Sequence, residues 1–129
     1  MFFANGVVAA PAHLLHPRII WMLSRDGILD RLCREVFGMY GARVTSVMDG
    51  SHSRKSSHYD GRALDLGVKP WIEKKGFNHG EYFPEDLRSR LVERLYEEIE
   101  IDPLLGPSTD WFICDEGNHI HIQLRRSVS

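Results

Sequence analysis

The sequence predicts an α+β domain, an antiparallel-leaning sheet with flanking helices, covering residues 1–129 as a single unit. Two stretches repeat apolar residues every three or four positions, as helices with one buried face do. Shorter stretches are β-branched or alternating, and the order along the chain is helix, strand, strand, helix, strand, strand. At 129 residues, with 43% apolar and 26% charged content, the chain has the size and composition of one ordinary core.

The opening run MFFANGVVAAPAHLLHPRIIWML lacks a basic lead and is interrupted by Arg18, Arg25 and Asp26. It reads as an ordered segment leading into a core helix, with an export signal as the lesser alternative. From Pro17 to about Gly38 the pattern is helical, with Ile20 and Leu23, then Ile28, Leu29, Leu32 and Val36 recurring, and with Trp21 assigned to the core. Pro17 suits a first helical turn, Gly27 is the point at which the helix would divide, and Gly38 and Gly41 end it. Ala42 to Met48 reads as a strand.

The polar run DGSHSRKSSHYDG must be loop. RALDLGV then alternates, placing Ala63 and Asp65 on one face and Leu64 and Leu66 on the other. Lys69 to Phe83 mixes Pro, Gly, Trp and Lys and reads as an irregular excursion. Pro84 to Glu100 is the clearest helix: Leu87, Leu91, Leu95 and Ile99 form its stripe, Glu85 and Asp86 suit its positive end, and its charged face is expected in solvent. After Pro103, Gly106 and Pro107, the segments DWFICDE and HIHIQL read as strands around a tight turn at Gly117–Asn118.

A net charge of −2 and a pI near 6.4 exclude bulk attraction to nucleic acid or anionic membrane, and Arg125-Arg126 is too small a basic patch to reverse that. No apolar run approaches the roughly 18–20 residues that span a bilayer. Cys33 and Cys114 read as two buried thiols rather than a disulfide, and no CxxC pair offers a thiolate zinc site. A monomer is expected.

Chemistry concentrates in two segments. SSHYDGRALDL carries His58 and Asp65, and EGNHIHIQ carries His119 and His121. In a strand, positions i and i+2 share a face, so both imidazoles project together while Ile120 and Ile122 turn to the core. His58, Asp65 and one of the two strand histidines would make three zinc ligands and leave a fourth position for water, the pattern of catalytic zinc. Asp115 or Glu116 would then accept a proton from that water. Each pair alone is as easily a loop histidine with a capping aspartate, or an exposed strand face. Their convergence favours the metal.

Together these residues resemble a known family. SSHYDGRALDLG matches the SxHxxGxAxD signature of the zinc D-Ala-D-Ala carboxypeptidases and endopeptidases, which share a fold with the hedgehog signalling domain. DWFICDEGNHIHIQ resembles the carboxylate-then-HxH segment of the same family, nearest its hedgehog-like and phage-encoded branches. The likeness covers about residues 42 to 124. It implies a zinc-dependent hydrolase of peptidoglycan stem peptides or D-Ala-D-Ala dipeptides, with His58, Asp65 and His121 as ligands of one Zn2+. His119 becomes a stabiliser of the transition state and Glu116 the general base and acid. Ser56 falls on the family's serine and would contact substrate.

The chain departs from the pattern in two places. Many members hold the substrate carboxylate with an arginine in the strand–loop region before the first histidine, which here reads SVMDGSHSRKSS and offers only Arg54 or Lys55. An ungapped alignment to hedgehog puts the family glutamate on Asp115, whereas the ExxHIH spacing of phage-type relatives puts it on Glu116, whose longer side chain is favoured. Asp49 and Asp60 fit turn-capping first and a calcium ion beside the zinc, as in some hedgehog relatives, second. His13, His16 and His79 have no ligand spacing, and His52 is merely close to the loop. Two other readings are a non-catalytic binding module kept rigid by zinc and a phage structural component carrying the domain for local wall penetration. Without an export signal, the expected locations are the cytoplasm, or the cell wall after release by a lysis system.

Overall fold

The computed structural model describes residues 2–3, 15–47, 61–72, 77–78 and 80–129. The chain is α+β, as its patterning predicts. Its elements are β1 (Phe2–Phe3), α1 (Pro17–Met22), α2 (Ile28–Phe37), β2 (Arg43–Ser46), β3 (Ala63–Gly67), β4 (Trp71–Ile72), β5 (Phe77–Asn78), α3 (Glu85–Ile101), β6 (Trp111–Asp115) and β7 (His119–Leu124). The main sheet runs β1-β2-β3-β7-β6, with β1 parallel to β2 and the other three pairings antiparallel. A short β4–β5 ribbon occupies the stretch expected to be irregular.

The core forms because one face of each central strand is aliphatic. Val44, Leu64, Leu66, Ile113, Ile120, Ile122 and Leu124 meet Leu29, Leu32 and Cys33 of α2 and Leu91, Leu95 and Ile99 of α3 in one buried cluster. The expected α3 stripe is therefore the packed one, with Leu87 at its partly buried start. Burial pushes the Cys33 thiol up to about 12, with Asp30 adding to the effect, so it is an inert core residue. Cys114 is half-buried, and both cysteines are free.

The first helix corrects the sequence reading. It divides around Gly27 as expected, but α1 buries Ile19 and Met22, not Ile20, and Trp21 is 44% exposed instead of core. The break frees α1 from the phase of α2, so apolar spacing carried across it assigns the wrong face. A Cβ on Gly27 would meet Ser24 Oγ at 2.5 Å and Ser24 O at 2.9 Å, which is why glycine stands at this sharp connection. His16, without a role in the sequence reading, caps α1: its Nδ1 accepts the Arg18 N–H at 3.1 Å.

Buried Asp30 joins helix to sheet by accepting the Asp26 and Ala42 N–H groups, each at 2.8 Å. The charged face of α3 is also more than a solvated surface. Arg94 bridges to Glu35 of α2 at 2.7 Å and to Glu98 at 2.9 Å. Among the described residues no helix is long and apolar enough to cross a membrane.

Candidate metal centre

The sheet face opposite the helices carries the candidate site. β3 and β7 pair so that Asp65 stands directly across from His121, Gly67 from His119, and Ala63 from Gln123. Because i and i+2 share a face, this register gathers Asp65, His119, His121 and Gln123 on one side, while Leu64, Leu66, Ile120 and Ile122 fill the core. Ala63 is fully buried beside Asp65, consistent with a requirement for a small residue there.

Asp65 is 9% exposed, and its Oδ1 lies 3.1 Å from His121 Nδ1 and 3.7 Å from His119 Nε2. Of the two strand histidines, His121 makes the closer approach. Its other nitrogen, Nε2, is 3.0 Å from Gln123 Oε1. Each ring nitrogen thus faces an oxygen, and an imidazolium, with a hydrogen on both nitrogens, donates to both. In keeping with this, hydrogen bonding to Asp65 raises the His121 pKa above its ordinary value, burial opposes the rise, and the Gln123 bond adds to it.

A divalent cation suits the same place. Two donors bound to one tetrahedral zinc at about 2.0–2.1 Å stand about 3.3 Å apart. The Asp65–His121 separation of 3.1 Å is close to that value. Gln123 would be the outer partner that metal-bound imidazoles commonly have, fixing tautomer and ring angle. The sequence reading missed it, although HIHIQ places it on the same face by the alternation that groups the histidines.

The two carboxylates before HIH separate clearly. Asp115 is clamped by Arg88 of α3, whose Nε donates to Oδ1 at 2.9 Å and Oδ2 at 3.1 Å, and Asp115 Oδ1 also accepts the Gly117 N–H at 3.0 Å. Glu116 is 46% exposed, and its Oε2 lies 2.9 Å from His119 Nε2. The turn arranges this. Glu116 N–H donates to His119 O at 3.0 Å, and Gly117, with φ of 90°, takes the first central position, as in a type II′ hairpin.

Among the described residues no group of three or more His, Cys, Asp or Glu side chains forms a metal-holding cluster. The expected third ligand, His58, lies outside the described residues, as do Ser56, Arg54, Lys55, Asp49, Asp60, His13, His52 and His79. Gly61, at the end of that loop, has φ of 68°, in keeping with a glycine-dependent turn into β3. No family model matches the chain, and neither a curated protein nor a solved structure matches it.

Proposed function

We propose that the chain is a zinc-dependent peptidase of the D-Ala-D-Ala carboxypeptidase and endopeptidase type, with the hedgehog-like fold that goes with it, acting on peptidoglycan stem peptides. The observation that carries this reading is the Asp65–His121 pair, a carboxylate oxygen and a ring nitrogen 3.1 Å apart on adjacent central strands, with Gln123 at the other ring nitrogen. The motif SSHYDGRALDLG supplies the substrate class and His58 as third ligand.

Asp65, His121 and His58 would hold the ion, and a bound zinc would supply Lewis acidity together with a water acidified to near-neutral pH. Glu116, unencumbered by Arg88, accepts a proton from the attacking water and returns it to the departing amine. His119 faces the same space, its Nδ1 against Asn118 Oδ1 and its Nε2 against Glu116 Oε2, and Nε2–H would donate to the oxyanion once Glu116 turns to the attacking water. Asp115 keeps the hairpin in place instead of joining the chemistry.

The test is metal analysis of the purified chain followed by digestion of defined muropeptides. One zinc per chain, and product release that stops on chelation, are expected. Zinc binding without cleavage of any wall fragment would leave the non-catalytic module as the better reading.

A further inference from the structure

Where α1, α2 and the end of α3 meet, a cavity of about 210 Å³ is lined by Trp21, Ser24, Asp26, Ile28, Arg31 and Asp102. It belongs to the helical side of the sheet, and the candidate centre occupies the other. Its wall is the indole that apolar spacing assigns to the core and the fold leaves exposed. Trp21 Nε1–H reaches Asp102 Oδ2 at a long 3.4 Å, while Asp102 Oδ1 accepts the Leu104 and Leu105 N–H groups at 2.8 and 3.2 Å. The carboxylate is thereby fixed, with Oδ2 only weakly engaged among the described residues.

The connection from α1 to α2 forms the rim. Asp26 takes φ of 56°, a left-handed conformation that is uncommon outside glycine. Buried Asp30 holds it there by accepting the Asp26 N–H, so the rim is built before any ligand arrives. The Asp26 carboxylate meets Arg34 only at 3.8 Å, and Arg31 meets Glu98 through Nη1 at 3.4 Å. α2 begins at Gly27 without a side-chain cap. The cavity therefore offers donors in the first turn of α2, in Arg31 and in the Ser24 hydroxyl, and acceptors in Asp26 and Asp102.

That mixture selects among ligands. A simple anion would face two carboxylates, and a simple cation would face Arg31. A neutral ring of hydroxyls suits the set, because each hydroxyl both donates and accepts. The C–H face of such a ring packs on an indole as other apolar surfaces do.

We propose that this cavity is a saccharide site that takes one pyranose ring, with Trp21 as its apolar wall and Asp26, Arg31 and Asp102 as hydrogen-bonding partners for the hydroxyls. None of these residues belongs to the two motif segments. That the sugar is part of the wall's glycan strand rests on the function proposed above, whereas the choice of a neutral polyol rests on the lining alone. Glycan and stem peptide are parts of one polymer, so a grip on the first raises the effective concentration of the second at the candidate centre.

The experiment has two arms. First, the 15N-labelled chain is titrated with a neutral trimer of N-acetylglucosamine, with its deacetylated, cationic counterpart and with inorganic phosphate. The Trp21 indole N–H and the Gly27 and Arg31 amides are followed. The neutral trimer should shift all three saturably, and the two ions should not. Trp21→Ala should weaken binding about tenfold, read on the Gly27 and Arg31 amides, as loss of an aromatic wall predicts. Asp102→Asn should act in the same direction, because an amide oxygen accepts less strongly than a carboxylate. Circular dichroism reports that each variant is folded. Silence towards the neutral trimer, or unchanged affinity in both variants, would overturn the site. Tighter binding of either ion would overturn its assignment to a neutral sugar. Shifts that grow with protein concentration alone would overturn it in favour of a contact between copies of the chain.

Second, glycan-linked and sugar-free stem peptides are compared as substrates. The wild type should show the lower KM for the glycan-linked form, and Trp21→Ala should shrink that difference with zinc content unchanged. If zinc binds and both forms are cut with equal KM while the titration is silent, the saccharide site fails and the peptidase reading stands. Trimer binding by a chain that takes up no zinc and cuts neither form would instead overturn the peptidase reading and support the site.

Discussion

At the scale of single residues, the contact between Asp65 and His121 sets the expectations. Asp65→Asn and His121→Ala should each abolish stoichiometric zinc uptake, read by metal analysis after gel filtration. Gln123→Ala keeps the ligands but releases the imidazole tautomer, so zinc affinity should fall roughly 10–100-fold in a chelator competition. Glu116→Gln should lower turnover of muropeptides about 100-fold or more with zinc content intact, because it removes the proton acceptor while an amide oxygen can still accept from His119. Asp65, His121 and Glu116 were legible because motif spacing and strand alternation need no tertiary information. The place of Trp21 was not, since its contact with Asp102 depends on how α1 docks against the end of α3.

At the scale of elements, the β6–β7 hairpin carries Glu116 and His119, and α3 anchors it through Arg88. The pair is mostly buried, with side-chain exposures of 15% for Arg88 and 19% for Asp115, and Arg88 also donates to Phe83 O. Arg88→Ala should cost about 1–3 kcal/mol in urea unfolding, the penalty of leaving a buried, hydrogen-bonded carboxylate without its partner. Asp115→Asn should be milder, because an amide still accepts from Arg88 and Gly117. The α3 stripe and the strands were readable from periodicity. The face of α1 was not, because six residues, Pro17–Met22, complete fewer than two turns and carry too little pattern to fix a phase. Nor did sequence expose Asp30, whose partners Asp26 and Ala42 come together only when α2 docks against β2.

For the molecule as a whole, the core and the site share the same strands, which links stability to pH and, on the zinc reading, to the metal. The pKa of His121 is raised by Asp65, so in the metal-free chain its stabilising contribution is complete below the ordinary value of 6.5 and is lost as pH climbs through the raised one. The Tm difference between wild type and His121→Asn should therefore shrink across that window in metal-free buffer. With zinc present it should grow over the same range, because the ion replaces the proton. Leu95→Ala, on the fully buried face of α3, should cost about 2–5 kcal/mol in chemical denaturation without changing metal stoichiometry. Finally, Asp65 and His121 are held opposite one another by the backbone ladder of β3 and β7, whatever occupies the gap between their side chains. Stripping the ion with a chelator should thus leave the far-ultraviolet dichroism spectrum nearly unchanged, and reloading should proceed at the speed of ion encounter, with no slow refolding phase.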